Sequence, residues 1–177
     1  MTAVNADTRE QSLSEIVRSV HRVYASGVTI VTALDGETPH GLAVSAFCSV
    51  SLDPPTIMVL VSFTSSNHAR FYSQERLGVN IVSAEQAGVL RQFGAPGEDK
   101  FRGVDWHKGK FGTPVLDKSS GFFEMEVEQR ILAHTHTIFI GRVLHAGVRQ
   151  DAPPLVYFNG SFHDGGKLVE LEEGKAK

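Results

Sequence analysis

Residues 41–55 read GLAVSAFCSVSLDPP, Gly41 to Pro55. The stretch alternates with the period of a β-strand, yet the residues on both of its faces are mostly small or carry a hydroxyl. Asp53-Pro54-Pro55 then stops it rigidly, because proline presets φ and cannot donate to a ladder. Two explanations stand at this point. A strand thinned at Gly41, Ala43, Ser45 and Ser49 lets a flat ligand approach the backbone, with Ser45, Cys48 and Ser49 adding side-chain donors. Alternatively, small residues permit tight packing of one strand or helix on another, as at a barrel corner.

Working outward, strand-like runs dominate. GVTIVTAL (27–34) is β-branched and ends at Asp35-Gly36, a turn signal. TIMVLVSF (56–63) is nearly all apolar, and LGVNIVS (77–83) follows. In SGFFEMEVEQRILAH (120–134), Phe123, Met125 and Val127 fall on one face and Glu124, Glu126 and Glu128 on the other, which predicts a sheet with one wet face. THTIFIGRVLHAGV (135–148) and PLVYFNGSFH (154–163) read as one strand each. Helical signals are fewer. Ser12 and Glu15 have capping-box spacing before a stripe of Leu13, Ile16, Val17, Val20 and Tyr24. Residues 66–76 predict a short helix capped by Ser66 or Asn67, and 84–94 a second one with Gly94 just past its end. The stretch 95–114, rich in glycine and charge, predicts a long, partly ordered loop. Six or seven long strands against two or three short helices point to a mainly β (α+β) chain built as an antiparallel barrel. No GxGxxG follows a strand, so a Rossmann nicotinamide site is missing.

Composition narrows the function. The chain has 177 residues, 41% hydrophobic and 21% charged, with a formal net charge of −3, which suits one globular domain. Its charges are interspersed, so no nucleic-acid footprint is expected. No apolar run spans a bilayer, and the polar N-terminus lacks a signal region, so a cytoplasmic protein with no membrane role is expected. The single cysteine, Cys48, excludes an internal disulfide and a cysteine metal cage. A disordered 1–11, one domain over 12–165 and a polar tail over 166–177 are expected.

Chemistry gathers where TIMVLVSF ends. Ser62, Thr64, Ser65, Ser66 and Asn67 are five of the six residues from 62 to 67, at the head of a short helix with Arg70 one turn in. One such residue suffices for an N-cap. Five, with free backbone N–H groups and a positive dipole end, suit a phosphate.

The run GLAVSAFCSVSLDPPTIMVLVSFTSSNHARFYSQERLGVNIVS (41–83) resembles the core of the short-chain flavin reductases that serve two-component flavin-dependent monooxygenases. FGAPGEDKF (93–101), HTIFIGRV (136–143) and PLVYFNGSF (154–162) resemble the later blocks of that family, in the same order and spacing. The resemblance covers roughly residues 15–165 and is strongest to actinomycete secondary-metabolism members, which points to antibiotic biosynthesis. It implies an antiparallel Greek-key split barrel of the FMN-binding type, working as a homodimer. It implies hydride transfer from NADH or NADPH to N5 of FAD or FMN, with reduced flavin passed to a separate monooxygenase. Residue by residue, it implies that Ala43, Val44 and Ser45 line the isoalloxazine ring and that Ser49 stands near the ribityl chain. Ser62, Ser66 and Asn67 would hold the phosphate, Phe93 and Gly94 would lie by the adenine end, and His136 would sit by the nicotinamide as the catalytic residue. Phe162 stands where many relatives have Tyr, so no hydroxyl is required there. Ala46 replaces a second serine, with one flavin hydrogen bond fewer. The alternatives are a split-barrel protein that holds FMN or haem without turnover, and a pyridoxamine-phosphate-oxidase-like flavoenzyme, which would want a more basic phosphate pocket than Arg70 alone provides.

Other candidates carry less. His134 and His136 would share a strand face, half of a metal site, but no third ligand has metal spacing and no metal is expected. Cys48 reads as a small buried hydrophobe. The charges of GEDKF (97–101) read as decoration of a solvated loop. Trp106 and Phe111 either form a lid or staple that loop down.

Overall fold

The computed structural model describes residues 12–97 and 99–169. The expectations for 1–11 and for most of the C-terminal tail therefore lie outside the described residues; of the tail, Gly166 and Lys167 belong to a 3-10 turn. Three α-helices and twelve strands follow in order. They are α1 (Leu13–Val23), β1 (Ser26–Gly27), β2 (Thr29–Asp35), β3 (Thr38–Val44), β4 (Phe47–Leu52), β5 (Pro55–Ser62), α2 (His68–Ser73) and β6 (Arg76–Ile81). Then come α3 (Ala87–Gly94), β7 (Trp106–Lys108), β8 (Pro114–Leu116), β9 (Gly121–Ala133), β10 (His136–Val148), β11 (Leu155–Phe158) and β12 (Ser161–Asp164).

Seven strands form one antiparallel sheet in the order β3-β2-β6-β9-β10-β5-β4, and the β5–β6 connection passes over the β9–β10 hairpin. The two edge strands of this sheet, β3 and β4, are consecutive in the chain. The quoted stretch is thus two strands, not the single one expected. Its first half pairs with β2 and its second half with β5. The turn between them is Ser45–Ala46, where the Phe47 N–H donates to the Ser45 carbonyl (3.1 Å) and the Leu60 N–H to the Ala46 carbonyl (3.1 Å). This segment is the seam of a barrel that hydrogen bonds do not close. The alternation of large and small residues slips at this corner, where Ser45 and Ala46 are both small, a slip that a bulge in one strand would also give.

Two apolar clusters hold the sheet. Val31, Val59, Val61, Phe71, Leu77, Val79, Met125 and Phe139, all fully buried, fill the inside. Ile30, Val82, Leu90, Phe93, Leu116 and Leu155 pack α3 and the later strands on the outside. β2 feeds both clusters, which is why GVTIVTAL carries no charged side chain and buries even Thr29 and Thr32. Burial also decides α2. Asn67 occupies its N-cap position but makes no side-chain cap, contrary to expectation. A cap contributes about 1 kcal/mol, whereas burying Phe71 completely contributes roughly 1.5–3 kcal/mol.

Other expectations change. PLVYFNGSFH is a hairpin, β11 and β12, turned at Asn159-Gly160, both with positive φ (50° and 81°). Gly94 is the last residue of α3 rather than the one past it, with Ala95 as the C-cap. His134 lies in the β9–β10 turn at φ 50°, not on a strand face with His136. Cys48 is exposed rather than buried. The stretch 95–114 is pinned. Phe101 packs edge-on against Phe93 and Trp106, and buried Lys100 donates to the Gln92 carbonyl (3.3 Å) while Gln92 Nε2 donates to the carbonyls of Lys100 and Arg102 (both 2.9 Å). Trp106 is therefore a staple, and the Lys100–Phe101 pair of GEDKF is anchored rather than solvated.

Glu124 is the largest departure from the wet face. Its side chain is fully buried, because residues 109–113 fold over it. Its carboxylate accepts from the backbone N–H groups of Phe111 (2.9 Å) and Thr113 (3.3 Å), the Thr113 hydroxyl (3.0 Å) and His145 Nδ1 (3.0 Å).

The α1 capping box is present: the Glu15 N–H donates to Ser12 Oγ (3.4 Å) and Ser12 N–H to Glu15 Oε2 (2.8 Å). No residue of its apolar stripe, however, is buried among the described residues; Leu13, Val20 and Tyr24 are 76%, 59% and 73% exposed.

Candidate active site

The corner at Ser45–Ala46 opens onto a cleft of about 580 Å³, within the size range that takes drug-sized ligands. Ala43, Val44 and Ser45 form one wall. Leu90, Arg91, Gly94 and Ala95 of α3 and its cap form another, and Tyr157 and Phe162 of the β11–β12 hairpin a third. Ala43 and Ser45 leave the backbone uncovered, and the N–H groups of Ser45 and Ala46 have no protein acceptor among the described residues. An apolar slot with two free donors at one wall suits the polar edge of a flat ring.

The structure separates the small residues by position. A Cβ on Gly41 would overlap the Phe93 ring, so Gly41 serves packing. Ala43 and Ser45 serve the cleft. Phe93 itself is fully buried under the cleft and supports it without lining it.

The hydroxyl turn meets β3 at its middle residue, Gly41. Ser62 Oγ is 2.9 Å from Thr64 Oγ1, the Ser65 N–H donates to the Ser62 carbonyl (3.1 Å), and Ser66 is exposed. Asn67 is buried and committed within the protein: Nδ2 donates to the Gly41 carbonyl (3.2 Å) and Oδ1 accepts from Arg70 (3.3 Å). That bond ties the hydroxyl turn to β3. Four residues along, at about 3.3 Å each, Ser45 stands roughly 13 Å away. His136, the first residue of β10, is opposite Ser62 in register, its Nδ1 2.9 Å from Thr135 Oγ1. His40 is on β3 near Arg70. Burial, then the Arg70 charge, push its imidazole below the ordinary value, with Asp35 partly opposing. Arg70 is therefore the positive charge beside the turn.

The structure thus gathers Ala43, Val44, Ser45, Gly94 and Phe162 into one cleft, and Ser62, Ser66, Asn67 and His136 at the turn. Ser49 joins neither. It is exposed on β4 opposite Ile57, five residues before Ser62 along β5, or about 17 Å. Arg91 and Tyr157 were not foreseen. They reach the cleft from elements distant in sequence, and neither carries a local signal. Arg91 and Phe162 also border a second, more polar cleft of about 890 Å³. The resemblance implies a flavin and a nicotinamide as ligands. The residues present fit such groups: the slot is apolar, its donors are free, and hydroxyls wait at a distance.

Comparison with known proteins gives the family. Residues 20–166 match the family model described as flavin reductase like domain. This chain belongs to that family. It is 34% identical over 149 residues to the FMN reductase (NADH) SmoA of Agrobacterium fabrum, covering 84% of each chain. It is 35% identical over 128 residues, 72% of its length, to the reductase component of the flavin-dependent trigonelline monooxygenase of Acinetobacter baylyi. That relative is longer, and the chain spans only 41% of it. Among solved structures, it superposes with a TM-score of 0.80 and 26% identity on the NADH:FAD oxidoreductase SgcE6 of Streptomyces globisporus in complex with NAD and FAD fragments, covering 93% of this chain and 96% of that one. The fold is that of the split-barrel flavin reductases, mostly antiparallel β with few short helices. Among the described residues no helix is long and apolar enough to cross a membrane, and no His, Cys, Asp and Glu cluster suits a metal.

Proposed function

We propose that this chain is an NADH-dependent flavin reductase that reduces FAD or FMN and hands the reduced flavin to a separate monooxygenase in the cytoplasm. The carrying observation is the apolar slot at the seam, lined by Ser45 with its free N–H and followed in the chain by the free N–H of Ala46, in a chain of this family. The cofactors supply the hydride chemistry, from nicotinamide C4 to flavin N5. The chain supplies proximity and electrostatics. Ala43 is small enough for two rings to stack against the seam, and proximity of this kind accounts for a large share of rate enhancement in general. The Ser45 and Ala46 donors face the ring edge where negative charge collects on reduction. Ser62, Ser66 and the Arg70 charge receive the phosphate of the tail. His136 positions the nicotinamide from the β10 side of Ser62. The slot is shallow and open, which suits a flavin that leaves after each turnover. The protein works as a homodimer, and the uncovered α1 stripe is the face that a second copy would bury.

NADH oxidation is expected to depend on added flavin and to continue for many turnovers. A steady-state assay crossing FAD and FMN with NADH and NADPH measures this. Oxidation without flavin, or none in its presence, refutes the proposal. His136→Ala is expected to lower kcat/KM for NADH about tenfold, a change of about 1.4 kcal/mol, while flavin affinity by fluorescence titration stays near that of the parent. An equal loss in both would remove His136 from the nicotinamide side.

A further inference from the structure

We propose that Arg91 reads the diphosphate of an adenine dinucleotide, and that the polar cleft beyond it takes the adenylate half. This rests on the reductase reading for the ring cleft, but the charge argument is independent of it. The two clefts share Arg91 and Phe162 as a common border. One is apolar and suits a ring; the other is lined by charged residues. A ligand that spans them has a flat ring at one end and a charged, hydrogen-bonding half at the other, which is the chemistry of a dinucleotide.

Charge pairing singles out Arg91. Three cationic side chains other than histidine line the polar cleft: Arg91, Arg149 and Lys167. Arg149 is paired with both Glu85 and Asp151, and Lys167 with Asp164 (3.5 Å). Those pairs leave one carboxylate in excess and neither cation free for an anion. Arg91 has no carboxylate partner and no side-chain hydrogen bond among the described residues, and it stands where the clefts meet. Leu90 and Phe93, buried on the same helix, hold it on a rigid element. A guanidinium offers two parallel donors to a phosphate and is the natural reader of that group. The hydroxyl turn, by contrast, lines neither cleft and has Arg70 for its charge. Two separated phosphate readers suit two ligands whose rings meet between them, with the flavin tail running to Ser62 and the nicotinamide dinucleotide leaving past Arg91. A folded FAD presents the same diphosphate chemistry to Arg91.

The test uses ADP and adenosine as probes on the full chain, by titration calorimetry, with Arg91→Gln and Arg91→Lys. Arg91→Gln is expected to weaken ADP about tenfold and adenosine hardly at all, and Arg91→Lys to recover part of the loss. Steady-state KM values then identify the source. A rise in the KM of NADH with every flavin assigns the diphosphate to the nicotinamide dinucleotide. A rise in the KM of FAD relative to riboflavin assigns it to the flavin. ADP binding that is absent, unchanged in Arg91→Gln, or weakened no more than that of adenosine overturns the proposal. If the parent protein turns over NADH with flavin in any of those cases, the reductase reading survives and the Arg91 assignment alone falls.

Discussion

Glu124→Ala is expected to lower the unfolding free energy by about 3–5 kcal/mol, the usual cost of removing one partner from a buried charged network. Four donors converge on this carboxylate: two backbone N–H groups, the Thr113 hydroxyl and His145 Nδ1. Alanine leaves all four facing an empty site. The comparison is Glu124→Gln, which keeps the shape and one carbonyl acceptor and should lose less. Denaturant unfolding at pH 7 measures both, and a Glu124→Ala protein within 1 kcal/mol of the parent would show that residues 109–113 are not held from beneath.

The same carboxylate sets a pH dependence. Burial pushes the Glu124 pKa up, but the bonds from His145, the Phe111 N–H and Thr113 outweigh it, and the group titrates below its ordinary value of 4.5. A carboxylate with a depressed folded pKa stabilises fully above its unfolded pKa, and that contribution is lost as pH falls through the folded one. The parent should therefore lose stability in acid below about pH 4.5 more steeply than Glu124→Gln, which has no proton to take up at that position.

Sequence showed the elements better than it showed what covers them. Period-two alternation in 120–134 placed Glu124 on the face opposite Met125, which is right. It could not report that a loop some ten residues earlier would fold over that face. The seam at Ser45–Ala46 leaves only a faint trace, two small residues in succession within a run already rich in small residues. The β11–β12 turn differs, because Asn159-Gly160 is a strong hairpin signal that was present and passed over. In the site, small residues at Ala43 and Ser45 and the hydroxyls around Ser62 were visible because their types are unusual for a strand and a cap. Arg91 was not, because an arginine near the end of a short helix looks like an ordinary match to the helix dipole. Only its lack of a partner marks it, and partners are a property of the folded chain.

Ser45→Trp is the sharpest test of where the rings lie. Ser45 is exposed, its hydroxyl makes no hydrogen bond among the described residues, and it stands at a turn rather than in a ladder. Replacing it should change stability by no more than about 0.5 kcal/mol, as for an ordinary surface substitution. The indole stands beside the cleft between α3 and the β11–β12 hairpin, where it can enter and cover the free N–H groups of the seam. Flavin-dependent NADH oxidation should then fall by at least about 100-fold, or roughly 2.7 kcal/mol in activation free energy, because one side chain evicts both rings. The contrast with His136→Ala is diagnostic. Loss of a nicotinamide contact slows turnover and leaves flavin titration intact, whereas a filled slot abolishes flavin titration as well. A Ser45→Trp protein that unfolds normally, binds flavin and turns over at the parent rate would place the ring away from the seam, and the thinning of the strand at Ala43 and Ser45 would then have to be explained by packing alone.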